Sequence, residues 1–307
     1  MKKERFEYPS KDGKTVIHGI RWIPEGPVRG ILQIIHGMVE HIGRYEEFAC
    51  FLAKKGYLVT GHDQLGHGDS VRTEADRGYF ASRRGAEILV EDIHTLRQIT
   101  EKICPGVKYF MLGHSMGSLA VRCYLKKYDR ELDGLIVCGC PGKNTMVPLG
   151  TALIRMLQTT KDPHSKSRLA DSIFANMFDR PFRAENLIHA WICSDRKVVE
   201  TYNKDPLCNF TFTLNGYESL LWLMRQTYSR MGWRVRNHKL PVLFVSGASD
   251  PCLGGRAKLA QAVGHLKKRG YAHVSSRLYP GMRHEILNEK GRFKVYQDIV
   301  HFLQRAE

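Results

Sequence analysis

The spacing of apolar residues changes rhythm along this 307-residue chain, and each rhythm predicts an element. Residues 6–9 and 15–23 alternate around the turn formers Lys11-Asp12-Gly13-Lys14, the pattern of a β-hairpin. Residues 30–35 are almost continuously apolar, as in a strand buried on both faces. Residues 44–55 switch to helical spacing through Tyr45, Phe48, Ala49, Phe51 and Leu52, and Gly56 closes the helix. A strand follows at 57–60. A helix at 87–103 carries Ile88, Leu89, Ile93, Leu96 and Ile99 near one face. Strand 109–112, helix 118–128 and strand 135–138 continue the alternation. Strands alternating with helices predict a mostly parallel central sheet flanked by helices on both faces.

After Cys140 the alternation stops. Up to Lys239 the apolar residues fall in helix-like stripes: Leu149, Ala152, Leu153, Met156 and Leu157; then Ile173, Phe174, Met177 and Phe178; then Leu220, Leu221, Leu223 and Met224. This predicts a helical cap, residues 141–239, inserted into an α/β core made of residues 1–140 and 240–307. The stripes suit a channel wall as well as they suit packing. The β/α rhythm resumes with a strand at 240–245, a helix at 255–269, a strand at 274–279 and a helix at 291–304. In that last helix Phe293, Val295, Tyr296, Ile299, Val300 and Leu303 are expected to be buried.

Composition adds limits. With 43% hydrophobic and 25% charged residues, the chain reads as a globular protein. The charged N-terminus has no apolar signal segment, and no apolar run approaches a membrane span, so a cytoplasmic protein is expected. The eight cysteines form no C-x-x-C pair and read as small buried hydrophobes in a reducing compartment. A formal charge of +16 favours anionic surfaces. The basic residues are dispersed and carry no nucleic-acid motif. Weak attraction to a membrane surface is the expectation, and nucleic acid is not an expected partner.

The candidate chemistry begins where strand 109–112 runs into Gly113-His114-Ser115-Met116-Gly117 and then into a helix. Strand, Gly-x-Ser-x-Gly, helix is the layout of a nucleophile elbow. The turn strains the serine backbone and holds its Oγ out at the sheet edge, while small neighbours let strand and helix pass closely. The next amide, Met116 N–H, points to the same place and can stabilise an oxyanion. A serine nucleophile needs a base, and the base needs an orienting acid. In an open parallel sheet these belong in loops at the carboxyl ends of strands. The loop after strand 242–245 carries Asp250, and the loop after strand 276–279 carries His284. An unperturbed imidazole titrates near ~6.5 and so can accept the serine proton and return it to a leaving alcohol. Asp250 would fix the tautomer, although an aspartate before Pro251 also suits an Asx turn. Glu285, next to His284, is expected to point elsewhere. The order Ser115, Asp250, His284 is the order of an α/β-hydrolase. A second oxyanion donor is expected at Met38 N–H, in the loop His36-Gly37-Met38-Val39-Glu40-His41, where Gly37 eases the turn. His36 and His41 lack a third ligand at metal spacing and read as loop-orienting groups. Asp63 and His67, in the turn-rich stretch 63–70, are expected to bond the backbone. No lysine follows those glycines as a phosphate loop requires.

These motifs together resemble a known family. His36-Gly37-Met38, Glu40-His41, Arg44-Tyr45, the run Asp63-Gln64-Leu65-Gly66-His67-Gly68-Asp69-Ser70, the pentapeptide around Ser115 and the residues 279–289 are similar to the monoacylglycerol lipase and lysophospholipase branch of the α/β-hydrolases. The S33 serine aminopeptidases are close relatives of that branch. The resemblance implies an α/β-hydrolase fold and a serine hydrolase acting on carboxylic esters, with a small-molecule ester or lipid as substrate. It carries the nucleophile, acid and base onto Ser115, Asp250 and His284, and the oxyanion donors onto Met38 and Met116. It implies no cofactor and no metal. An aminopeptidase would instead need cap carboxylates to bind a substrate amine, and Asp171, Asp179, Glu185, Asp195, Glu200 and Asp205 are available. A non-catalytic binding protein on this fold would have lost a triad residue, and none is lost here.

Overall fold

Eight strands form one sheet in the computed structural model, which describes residues 1–168, 170 and 178–306. They are β1 (Lys2–Pro9), β2 (Val16–Ile23), β3 (Gly30–Ile35), β4 (Tyr57–His62), β5 (Tyr109–His114), β6 (Gly134–Cys138), β7 (Val242–Gly247) and β8 (Val274–Tyr279). Their order across the sheet is β1-β2-β4-β3-β5-β6-β7-β8. β1, β2 and β4 pair antiparallel, and every pair from β4 to β8 is parallel. β3, β4, β5 and β6 are buried along their whole length, which is why their sequences run apolar rather than alternating.

The chain leaves β3 in one direction, toward β4, and later returns to its other side as β5. The loops after β3 and β5 therefore part above a crevice at the carboxyl ends of the strands, where open sheets of this kind bind ligands. Helices α1 (Glu46–Ala53), α2 (Gly85–Ile103) and α3 (Met116–Tyr128) follow β3, β4 and β5. Between β6 and β7 lie α4 (Val147–Gln158), α5 (Arg196–Lys204), α6 (Leu214–Thr227) and short 3-10 turns, with no strand among the described residues. Helices α7 (Arg256–Arg269) and α8 (Arg292–Ala306) complete the core. Of the second apolar stripe, Ile173, Phe174 and Met177 lie outside the described residues, as does Asp171. No described helix is long and apolar enough to cross a membrane.

One expected core residue is corrected. Phe293 is 53% exposed, whereas Val295, Tyr296, Ile299, Val300 and Leu303 are buried. Those five cover one arc of α8, and Phe293 falls just beyond its rim. It lies edge-on to Tyr296 with centroids 5.5 Å apart and under the Arg292 guanidinium at 5.3 Å.

Candidate active site

Ser115 sits in the turn from β5 to α3 with φ +52°, a conformation that costs a non-glycine residue energy. The surroundings hold it there. Its amide donates to the Cys138 carbonyl at 3.0 Å, and its carbonyl accepts the Ser118 hydroxyl at 2.6 Å. Gly117 is required by close approach: a Cβ there would lie 2.2 Å from the Ile35 carbonyl oxygen. A Cβ on Gly37 would lie 2.7 Å from Glu40 Oε1 and 3.0 Å from Ser115 Cβ. The loop after β3 thus presses directly against Ser115. Met116 opens α3, where first-turn amides lack an intrahelical acceptor and the helix dipole is positive. Met38, Ser115, Met116 and His284 line one cavity of about 450 Å³.

The loops after β7 and β8 bring the other two residues together. His284 Nδ1 donates to Asp250 Oδ2 at 2.9 Å, with both side chains buried. Asp250 Oδ1 also accepts the Cys252 amide at 2.9 Å, so the Asx turn and the imidazole partner coexist in one carboxylate. The proton is thereby fixed on Nδ1, and Nε2 is left as the basic nitrogen. Trp191 packs against the imidazole with ring centroids 4.7 Å apart.

Beneath this pair lies a buried charge network that sequence reading missed. Glu40 Oε1 accepts the Gly37 amide at 2.6 Å, the Tyr45 hydroxyl at 2.9 Å and His114 Nδ1 at 3.0 Å. Its other oxygen accepts Arg44 at 3.0 Å. Arg44 also holds Glu285 through two bonds of 2.6 and 2.7 Å, so Glu285 does turn away from its neighbour His284. His114 Nε2 donates to the His284 carbonyl at 3.3 Å. Both ring nitrogens of His114 thus face oxygen acceptors, a setting that favours the imidazolium. Burial disfavours that charge, yet the Glu40 carboxylate outweighs it and raises the His114 pKa. Burial likewise opposes ionisation of Glu40, and the His114 hydrogen bond and charge, with Arg44, still hold it well below the usual carboxylate range. Glu40, Arg44, His114 and Glu285 together join the Gly37 loop, the elbow and the His284 loop. The clue was a Glu and an Arg four residues apart in a loop, but their distant partners are set by the fold.

The remaining sequence candidates have local work. His36 accepts the Gln64 amide at Nε2 and donates from Nδ1 to the Gly37 carbonyl, both at 2.8 Å. Asp63 accepts the Ile42 and Asp69 amides at 2.8 and 2.9 Å, and His67 contacts the Leu65 carbonyl at 3.2 Å. His41, Asp205 and Cys208 bring three possible metal ligands within 4.8 Å of one another. A 2.9 Å hydrogen bond from His41 to Asp205 already engages two of them, and burial pushes the Cys208 thiol well up. The other insertion carboxylates are engaged too. Asp179 caps the His189 amide, Glu185 pairs with Arg283, Asp195 caps Lys197 and Glu200 pairs with Arg196. None of these lines the cavity among the described residues. The cavity walls are mainly apolar, with Leu119, Val147, Leu149, Leu153, Leu221 and Met224 on one side and Asn144, His189, Asn209 and Thr211 as polar points.

Comparison with known proteins agrees with this geometry. A family model described as serine aminopeptidase, S33, matches residues 26–291. A monoacylglycerol lipase of Mycolicibacterium smegmatis is 28% identical over 307 residues, covering 98% of this chain and 97% of that protein. The monoglyceride lipase of Homo sapiens is 38% identical over 230 residues, 75% of this chain and 68% of that protein. Among solved structures, a thermostable carboxyl esterase from Bacillus coagulans superposes with a TM-score of 0.91 at 26% identity, over 100% of this chain and 99% of that one. A match across most of the length, on a sheet that sets a strained serine and an aspartate-paired histidine on one cavity, leads to one conclusion: the chain belongs to the S33 serine aminopeptidase family of α/β-hydrolases and is a carboxylic ester hydrolase of the serine esterase–lipase kind.

Proposed function

We propose that the chain is a monoacylglycerol lipase or lysophospholipase that forms an acyl-enzyme on Ser115. The observation that carries this reading is one apolar cavity shared by Ser115 and an imidazole already bonded to a buried aspartate. In the proposed reaction Ser115 Oγ attacks the ester carbon as His284 Nε2 takes its proton. The Met38 and Met116 amides stabilise the oxyanion at ~2.7–4 kcal/mol per donor. His284 returns the proton to the leaving alcohol, then activates water to release the acid. Asp250 keeps the tautomer and stabilises the imidazolium. Residues 141–239 act as the cap, with their apolar wall taking the acyl chain. Met146 and Leu149 line the cavity yet are 57% and 64% exposed, which supports a rim that meets lipid. Eight unbonded cysteines support a reducing, cytoplasmic site of action. The names of the lipase relatives support the substrate class.

Aminopeptidase action has less support. An amine-binding carboxylate should face the cavity unpaired, and among the described residues the carboxylates that line it, Glu40 and Glu285, are both tied to Arg44. The test is a substrate panel from short p-nitrophenyl esters to long-chain monoacylglycerols and lysophospholipids, with an amino-acid p-nitroanilide alongside. Long-chain monoesters should be preferred. Ser115→Ala should lose several orders of magnitude in turnover and all labelling by a fluorophosphonate probe, while keeping its melting temperature. Turnover of the anilide without the esters would overturn the reading.

A further inference from the structure

Charge is placed unevenly along this chain. Residues 219–284 contain twelve lysines and arginines and a single carboxylate, Asp250, which is already held by His284. Most of the net charge of +16 therefore lies in one stretch. Arg277 and Arg283 pair with Asp298 and Glu185, and the fold gathers six of the others on one flank. The loop after α6 lies along the foot of α7: Arg269 donates to the Arg230 carbonyl at 3.0 Å, and the Ala272 amide donates to the His238 carbonyl at 2.9 Å. Arg230, Arg234, Arg236, Lys239, Lys267 and Lys268 are exposed there, and none has an ion pair among the described residues. Other faces differ. Lys108 sits 2.8 Å from Asp133, Lys127 2.7 Å from Glu91 and Arg196 2.8 Å from Glu200. The carbonyl end of α7 accounts for cations in its last turn, but not for the arginines of the loop.

Two further observations select the partner. Met231, at the tip of the loop between Arg230 and Arg234, is 81% exposed. At the other end of α7, Lys258 donates to the Lys143 carbonyl at 2.8 Å, next to Asn144 and Met146 of the cavity rim. The basic foot thus lies one helix length, about 21 Å, from the rim, joined to it by the exposed and uncharged face of Ala260 and Gln261. We infer that this flank docks on an anionic lipid bilayer, with Met231 entering the headgroup layer between arginines that meet the phosphates. An acidic protein or a nucleic acid would match the charge, but neither calls for an exposed methionine amid the cations. The inference gains its purpose from the lipid-ester reading, but the binding itself needs no catalysis.

The test is co-sedimentation of the full-length protein with phosphatidylcholine vesicles, with and without about a third phosphatidylglycerol. Binding should require the anionic lipid and should fall steeply as salt rises toward ~0.5 M. Arg230→Glu/Arg234→Glu/Lys267→Glu/Lys268→Glu should lower the partition coefficient at least about tenfold. Lys14→Glu/Lys54→Glu/Lys55→Glu/Lys102→Glu, the same change of charge on other faces, should lower it far less. Met231→Asp, at an exposed tip, keeps the test open should the fourfold variant melt early, and it should also weaken binding. Equal losses in the two fourfold variants, equal binding to neutral vesicles, or retention on DNA or an acidic protein without vesicle binding would each overturn the inference. Hydrolysis of a soluble ester is measured in parallel. Its loss with vesicle binding intact sinks the enzymatic reading alone, and the converse sinks the docking surface alone.

Discussion

Glu40 is a single carboxylate on which four donors converge: Gly37, Tyr45, His114 and Arg44. Its value lies in joining segments that the chain keeps far apart, and its pairing with His114 has a pH signature. The folded pKa of His114 is raised, so the stabilisation it supplies is complete below the unfolded value of ~6.5 and is lost as pH rises through the folded value. His114→Asn keeps a donor for Glu40 but cannot carry charge. The stability advantage of the native protein over this variant, read by urea unfolding, should be largest at mildly acid pH and should shrink in alkaline buffer. A constant gap would mean that His114 is neutral. The elbow at Ser115 and the two loops that bring Asp250 to His284 were legible in the sequence because glycines, a proline and strand ends mark each one locally. Glu285 and His114 were not, because an ion pair or hydrogen bond across 241 or 74 residues leaves no local pattern.

The strands and most helices were legible for the same local reason: continuous apolar runs for β3 to β6, and a 3.6-residue period for α2 and α8. Periodicity states that a helix has an apolar face without saying what covers it, and α4 shows the difference. Of its apolar residues only Val147 and Ile154 are buried, whereas Leu149 and Leu153 line the cavity and Met156 is 62% exposed. The stripe at 149–157 is therefore divided: Leu149 and Leu153 are cavity wall, and Leu157 packs against the core. Filling that wall should shorten the acyl chain that fits. For Leu153→Trp we expect kcat/KM on long-chain esters to drop about tenfold or more relative to short ones, the size of a few methylenes' worth of contact. The melting temperature should change little, because few core contacts are touched. An unchanged chain-length profile would place the acyl group elsewhere in the cavity.

Across the whole molecule the insertion between β6 and β7 is anchored unevenly. At residues 185–205 it is tied to the core: Arg283 pairs with Glu185 and donates to the Ala190 carbonyl, Glu289 holds Ser194, His41 holds Asp205 and Tyr202 donates to the Val39 carbonyl at 3.1 Å. α6 buries nine residues along its length. α4 buries two, and its outer side faces the cavity rim and solvent. Each apolar side chain withdrawn from water is worth about 1.5–3 kcal/mol, so opening α4 alone costs several kcal/mol less than opening α6. Native-state hydrogen exchange should then show the amides of α4 exchanging at least about a hundredfold faster than those of α6, with the segment around α5 nearer to α6. A helix that yields first on the cavity side, while residues 185–205 stay fixed to the loops bearing His41 and His284, would open the cavity without disturbing the Asp250–His284 pair. Equal protection along α4 and α6 would mean instead that the insertion moves as one body, and entry would then have to strain the contacts that hold His284 in place.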